Sequence, residues 1–104
     1  MKTKVLSKEA RFNDRFRELG FGISITQGVH ALSDVGGLLR KVREYDKFDE
    51  KNDPYGEHDF GQLYWYGKKI FWKIDYYNPT YSGWCDPLSE NCKRTLTVML
   101  AEEY

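Results

Sequence analysis

A histidine flanked by carboxylates is the feature of this sequence that could do chemistry. The block Asp53–Gly61 reads DPYGEHDFG and leads into two strand-like stretches, 62–66 and 69–77. Lys73 and Asp75 lie in the second stretch, among Phe, Trp, Ile and Tyr. Charges in such a strand must be solvated, paired or part of a site. A histidine beside a carboxylate is the minimal general base, because the carboxylate orients the ring and raises its basicity.

The register of a hairpin decides which of these groups meet. We place a type II′ turn at Gly67-Lys68, because glycine fits its first central position. The facing pairs are then Trp65 with Ile70, Leu63 with Trp72, Phe60 with Asp75, and His58 with Tyr77. One face of the hairpin is therefore expected to carry the polar candidates His58, Lys73, Asp75 and Tyr77, beside Phe60 and Phe71.

Two interpretations of this face stay open. The first is a small hydrolase or nucleotide-modifying enzyme that uses His58 with Asp75 or Asp59. The second is a polar network that only fixes the loop to the sheet. The enzyme interpretation lacks a nucleophile, since no serine has the context of a nucleophile elbow and Cys85 has no evident histidine partner. Walker, Rossmann and zinc-hydrolase motifs are also absent from the sequence.

A binding surface is the third possibility, alongside a merely solvated edge. Glu57 and Asp59 alternate with His58 and, together with Asp49, Glu50 and Asp53, predict an acidic rim, to which Glu102 and Glu103 would add. The tyrosines expected along this rim are Tyr55, Tyr64, Tyr66 and Tyr81. Tyrosine is enriched at the anchors of protein interfaces. The long connection 78–91 is rich in Pro, Gly, Ser and Asn and is typical of a functional loop. The predicted binding residues are Tyr55, Glu57, His58, Asp59, Lys73, Asp75, Tyr77, Tyr81 and Trp84.

Composition limits the classes of function. The chain has 104 residues, and its 16 Lys+Arg balance 16 Asp+Glu, so its formal net charge is zero. That balance argues against a nucleic-acid binder built on a general basic field, although local patches of either sign remain compatible with it. We therefore expect a protein partner and no direct contact with nucleic acid.

Targeting signals and metal ligands are not evident either. We see no secretory signal and no apolar run long enough for a membrane, so we expect a cytoplasmic protein with no membrane partner. Cys85 and Cys92 are then reduced, and they lack the partners that a structural zinc site needs. We expect no metal and no cofactor.

The supporting elements predict one α+β domain over residues 1–104. Ser7 caps a helix at 8–19 that ends at Gly20, with its arginines on a solvated face. A short strand at 23–25, a turn at Gln27-Gly28, a helix at 34–45 and a last strand at 94–100 complete the pattern. We expect two helices packed on one face of a roughly four-stranded antiparallel sheet. The predicted core contains Phe12, Phe16, Ile23, Ile25, Leu38, Leu39, Val42, Leu63, Trp65, Ile70, Trp72, Ile74, Leu96, Val98 and Leu100.

Three blocks in order carry a family resemblance. They are DPYGEHDFG at 53–61, FWKIDYY at 71–77 and LTVMLAEEY at 96–104, and RFNDRFR at 11–17 looks like an opening motif. Together they resemble a small bacterial family that carries only a domain-of-unknown-function name. The resemblance implies cytoplasmic single-domain proteins, often linked to plasmids or phages, with no established activity. No catalytic role can be carried over from it, and the loop at 85–92 is not part of the pattern.

The genomic setting that the resemblance implies suggests a function by analogy. Small proteins of mobile elements often inhibit host defence, as anti-CRISPR and anti-restriction proteins do. We therefore expect a binding protein that masks a surface of a host defence complex or nuclease. The hydrolase with His58 is the alternative, and a transcriptional accessory is disfavoured because no recognition helix is evident.

Overall fold

A computed structural model describes residues 6–80, 83–89 and 91–104. Tyr81, one of the predicted binding residues, lies outside the described residues. The order of elements along the chain is α, β, α, α, β, β, β, followed by a short 3-10 helix. Their bounds are α1 Lys8–Leu19, β1 Ile23–Ile25, α2 Gln27–His30, α3 Val35–Arg43, β2 Phe60–Trp65, β3 Lys68–Tyr77, β4 Lys93–Leu100 and η1 Ala101–Glu103.

The four strands form one mixed sheet in the order β1-β4-β3-β2. The pairs β2/β3 and β3/β4 are antiparallel, as the sequence predicts. The prediction of a wholly antiparallel sheet is wrong, because β1 runs parallel to β4, with Ile23 opposite Leu96. A parallel neighbour needs a long crossover connection. Here α2, α3 and the β2–β3 hairpin all lie between the two paired strands in the sequence.

The hairpin turn lies one residue earlier than predicted. Tyr66 and Gly67 both have positive φ, at 49° and 79°, which is the pattern of a type I′ turn. Leu63 therefore pairs with Ile70, and the register differs from the predicted one by two residues. A shift of two keeps every side chain on its expected face, so the side chains of Leu63 and Ile70 still share the buried face. The same shift pairs Phe60 with Lys73, and so removes the predicted pairing of Phe60 with Asp75.

Side-chain caps set the N-terminal ends of the three α-helices in the described residues. Ser7 caps α1, because its side chain accepts a hydrogen bond from the backbone N–H of Ala10. Gly20 ends the helix with a left-handed φ of 73°, and both ends are as predicted. The second predicted helix is shorter than the predicted 34–45. It begins after Asp34, whose carboxylate caps it in place of Ser33, and it ends at Arg43. Gln27 and Gly28 form the start of the short helix α2 instead of a turn, because the Thr26 side chain caps that segment.

The hydrophobic core joins helix residues to alternate residues of β3 and β4. Its buried members are Val29, Leu38, Val42, Tyr45, Ile70, Trp72, Ile74, Tyr76, Leu96 and Val98. The other predicted core residues are partly buried against this cluster, except Phe12, which is 40% exposed. Helix α1 instead turns Ala10, Asn13 and Arg17 inward. The prediction of a solvated Arg17 is therefore wrong.

Length and polarity of the helices bear on membrane insertion. None of the helices in the described part of the chain has the length and apolar run that crossing a membrane requires.

Candidate functional site

A buried arginine lies at the centre of the α1 side of the molecule. Arg17 is 2% exposed, and its guanidinium lies 5.4 Å from the ring of Phe48 and 5.2 Å from that of Trp72. It donates hydrogen bonds to Asp14 Oδ1 at 3.0 Å and to the carbonyl of Tyr45 at 2.9 Å. The charge is thus balanced by one carboxylate, one carbonyl and two rings, whereas the buried Nε has no hydrogen-bond partner among the described residues.

A buried asparagine continues this polar cluster into the sheet. The Asn13 amide donates to Tyr76 Oη at 2.7 Å and to the carbonyl of Glu57 at 2.9 Å, and its oxygen accepts from Arg94 Nε at 2.8 Å. Arg94 is itself packed between the rings of Phe12 and Tyr76. One turn of α1 therefore fixes the strand β3, the strand β4 and the segment that precedes β2.

His58 lies in this cluster and not beside Asp75. Its φ is 56°, and its ring stacks on Phe48 at a centroid distance of 3.8 Å. Nδ1 is 2.9 Å from Asp14 Oδ1, and Nε2 is 3.6 Å from Asp53 Oδ2. Asp75 is on the opposite side of the sheet, where its carboxylate pairs with Lys73 Nζ at 3.2 Å. The predicted pairing of His58 with Asp75, and its proximity to Tyr77, are therefore wrong.

The acidic residues on either side of His58 form a carboxyl pair. Burial raises the pKa of both Glu57 and Asp59, and each carboxyl hydrogen-bonds the other. The Asp59 carboxylate also accepts from Tyr76 Oη at 3.1 Å. Burial, together with the charge of Asp59, raises the pKa of Tyr76 as well. The predicted acidic rim is therefore weakened here, because two of its members share a hydrogen bond and partial burial.

Replacing Glu57 by glutamine should flatten the dependence of stability on pH. A carboxyl whose pKa is raised by folding stabilises the native state fully below its unfolded pKa of about 4.3, and that contribution is lost as pH rises through the folded pKa. Glutamine can donate to Asp59 at every pH. We expect the difference in free energy of unfolding between pH 4.5 and pH 7.5 to shrink in Glu57→Gln, as measured by urea denaturation.

Glu50→Gln is the matched control, because Glu50 is exposed in the same loop and should keep the wild-type profile. The pKa of Asp49 and of Glu103 is lowered, chiefly by hydrogen bonds, and these groups act in the opposite direction. Asp49 and Glu103 are present in every variant, so their contributions to the pH dependence of stability cancel when variants are compared. An unchanged pH profile in Glu57→Gln would contradict the shared carboxyl pair.

Several of the predicted binding residues meet in a cleft at the edge of the sheet. Strand β2 begins at Phe60, opposite Lys73, so the end of β3 extends beyond it. The uncovered edge lines a cleft of about 420 Å³. Its walls are formed by Asp59, Ile74, Asp75, Tyr76, Tyr77, Gly83 and Trp84. Trp84 is 72% exposed, so the cleft offers an exposed indole. Of the two carboxylates in its walls, that of Asp75 is one-third exposed, whereas that of Asp59 is bound by Tyr76. We call it the edge cleft.

Two other predicted residues line a separate groove on the helix side. Tyr55 and His58 share a concavity of about 400 Å³ with Phe48 and the carboxylates of Asp46, Asp49 and Asp53. The residues that the sequence analysis assigned to one surface therefore belong to two concavities. Glu57 lines neither of them, since its carbonyl is bound by Asn13 and its carboxyl by Asp59.

Sequence reasoning missed the polar residues of α1 altogether. Asn13, Asp14 and Arg17 organise the cluster, yet on the sequence they resemble any solvated helix face. Their spacing of three and four carried a weak signal, because such residues lie on the same side of a helix. Tyr76 and Arg94 were also missed as polar partners, since each lies in a strand whose alternation indicates packing alone.

Metal ligands do not converge in the part of the chain that the structure describes. There, no group of three His, Cys, Asp or Glu side chains is placed to hold an ion. Cys85 and Cys92 are free thiols, and burial raises the pKa of Cys92 to about 11.

Fold and site together define a small α+β domain in which a helix inserts a polar cluster against a mixed sheet. A family model described as protein of unknown function (DUF3768) matches residues 25–103. The chain belongs to this family, which confirms the resemblance seen in the sequence. The match begins after the motif at 11–17, so that motif lies outside it. No curated protein and no solved structure matches the chain.

Proposed function

We propose that this protein is a binding protein that masks a basic surface of a protein partner. The observation that carries the proposal is the edge cleft, whose walls include Trp84, Asp75 and Asp59. The Asp75 carboxylate and the exposed indole suit an arginine or lysine side chain. The carboxylate would pair with the cation, and the ring face would attract it as well.

Negative charge in the segment that leads to the cleft supports a basic partner. The segment 46–59 carries six carboxylates against Lys47 and Lys51. Part of this charge lies at the rim of the second groove, in Asp46, Asp49 and Asp53. Clustered charge of one sign speeds the encounter with a partner of the opposite sign, and that effect weakens as salt rises. A surface that normally contacts nucleic acid has the required basic character.

The biological setting is part of the proposal. A cytoplasmic protein of a bacterial mobile element that covers a basic, nucleic-acid-binding surface would inhibit a host defence complex or nuclease. Anti-CRISPR and anti-restriction proteins are the corresponding class. Masking requires affinity and shape but no reacting group, which is consistent with the lack of a nucleophile motif in the sequence.

The test compares variants of the edge cleft in a pull-down from bacterial lysate. Trp84→Ala should weaken capture of the partner about thirtyfold, because an exposed aromatic anchor contributes about 2 kcal/mol. Asp75→Asn should weaken it about tenfold. Asp75 and Lys73 are both about one-third exposed, so the fold should change little in stability on this substitution. Biolayer interferometry with the recovered partner gives the affinities and their salt dependence.

Matched controls lie on the helix side of the molecule. Phe21 is 89% exposed between α1 and β1, and Glu18 is exposed on α1. Phe21→Ala and Glu18→Gln should bind like the wild type. Recovery of no partner, or equal recovery by wild type and both cleft variants, would contradict the proposal.

Hydrolysis or nucleotide modification by His58 is the alternative function. The ring is 12% exposed and has Asp14 at Nδ1, which is the orienting carboxylate that a general base needs. Nε2 is directed at Asp53 and not at an open cavity wall, so a substrate would have to displace that carboxylate. Turnover of a nucleotide or ester that His58→Gln abolishes, with folding retained, would favour this function over masking.

A further inference from the structure

The outer face of the sheet carries an aromatic cluster that the proposed masking does not use. Residues that alternate with the buried ones of β3 point to this face. Phe60 and Phe71 lie 5.2 Å apart there, and Tyr104 packs against both, at 6.0 Å and 5.5 Å. Tyr104 is 74% exposed, and Tyr64, further along β2 on the same face, is 67% exposed. We call these four rings the outer aromatic platform.

The cations around the platform exceed the anions. Lys69 Nζ lies 5.5 Å from the ring of Phe71, and Lys73 stands two residues further along β3 on the same face. Lys93 pairs with Tyr77 at the far end of the face. Asp75 offsets Lys73 at 3.2 Å, and Glu102 shares a shallow cleft with Lys69. Lys68 lines that cleft too, but it has the parity of the buried residues of β3, so three lysines face two carboxylates on the outer side.

We infer that the outer aromatic platform binds single-stranded nucleic acid. Bases can stack on the exposed rings while the lysines contact the phosphates, and this combination binds single strands with little dependence on sequence. A sheet with aromatic residues on its open face is a recurrent arrangement for unstacked bases. Charge complementarity selects a polyanion over a basic peptide here, in contrast to the edge cleft.

The zero net charge of the chain does not conflict with this inference. Six of the sixteen carboxylates lie in the segment 46–59, much of which lies on the helix side. The total of zero therefore does not give the charge of the outer face. The expectation of no direct nucleic-acid contact averaged the charge over the whole chain, whereas binding depends on the charge of one face.

Fluorescence anisotropy with labelled oligo(dT) and oligo(U) of about 12 nucleotides tests the inference, since single-strand sites span about 4–16 nucleotides. We expect both single strands to bind at low salt and a duplex of mixed sequence to bind far more weakly. Tyr104→Leu should weaken binding about tenfold, and Tyr104→Trp should retain it, because stacking needs an aromatic face. Lys69→Glu should weaken binding about tenfold and reduce the salt slope by about 0.7 per lost phosphate contact.

Asp75→Asn separates this inference from the proposed function. Removing the carboxylate releases Lys73, so oligonucleotide binding should strengthen about threefold, whereas capture of a basic partner at the edge cleft should weaken. Phe21→Ala and Arg15→Glu are the controls, since Phe21 is exposed between α1 and β1 and Arg15 is exposed on α1. The inference is wrong if neither oligonucleotide binds, if the duplex binds as tightly as the single strands, or if Tyr104→Leu matches Tyr104→Trp. None of these results bears on the edge cleft.

Discussion

Replacing Arg17 by alanine should destabilise the domain by about 3–5 kcal/mol, the usual cost of removing one partner from a buried ion pair. The guanidinium lies beside both Phe48 and Trp72, and it donates to Asp14 and to the carbonyl of Tyr45. Alanine would leave the carbonyl without its donor and a void next to the two rings. Since small domains are stable by about 5–15 kcal/mol, the midpoint of urea denaturation should fall steeply.

Two further substitutions identify which property of Arg17 matters. Arg17→Lys keeps the charge but cannot place a planar group against two rings while donating in two directions, so we expect it to recover less than half of the loss. Arg15→Ala is the matched control on the same helix, where the side chain is exposed and the change should stay within about 0.5 kcal/mol. A melt of Arg17→Ala that coincides with that of Arg15→Ala would refute the buried cluster.

Local signals predicted the ends and types of most elements. Ser7 and Gly20 delimit α1 because a side-chain cap and a left-handed glycine act within a few residues of the helix end. The alternation of Leu96 and Val98 with polar neighbours predicted the buried face of β4 for the same local reason. Such features depend on the nearest residues, so the sequence contains what is needed to infer them.

The hairpin register depended on a choice between two turns. Gly67 fits the first position of a type II′ turn and also the second position of a type I′ turn. The second choice requires Tyr66 to adopt a φ of 49°, which is uncommon for a residue with a side chain. The register that this turn sets places Gly61 opposite Trp72, where a Cβ at position 61 would come within 3 Å of the indole. The fit of the Trp72 ring over Gly61 is a tertiary contact, which turn preferences alone do not reveal.

The sequence indicated which residues lie near the candidate site better than it indicated which side chains they contact. Asp59, Asp75, Tyr77 and Trp84 were all named from the sequence, and all line the edge cleft. His58 was paired with the wrong carboxylate, because its own partner comes from α1, 44 residues away. A helix residue such as Asp14 has no pattern that points to a distant loop. Long-range polar contacts of this kind follow from packing and have no local signature.

Replacing Asn13 by alanine should cost about 3 kcal/mol, the second large effect that we expect. Asn13 is fully buried and serves three groups: it donates to Tyr76 and to the carbonyl of Glu57, and it accepts from Arg94. Each buried polar group left without its partner costs about 1–3 kcal/mol, and relaxation of the Arg94 side chain recovers part of that. Urea denaturation followed by circular dichroism measures the loss. Asn91→Ala, at an exposed asparagine, is the matched control.

Asn13→Asp tests the direction of these hydrogen bonds without changing the shape of the side chain. The carboxylate can still accept from Arg94, but it has no proton for Tyr76 Oη or for the carbonyl of Glu57, and it adds a charge near Asp59. Acidification supplies one proton, so the protonated side chain can donate to one of these two acceptors. The variant should therefore be as unstable as Asn13→Ala at neutral pH and should regain part of its stability as pH falls toward 4, a recovery that alanine cannot make. Equal losses for both variants at every pH would mean that Asn13 acts by packing alone, and that the polar cluster does not order the segment before β2.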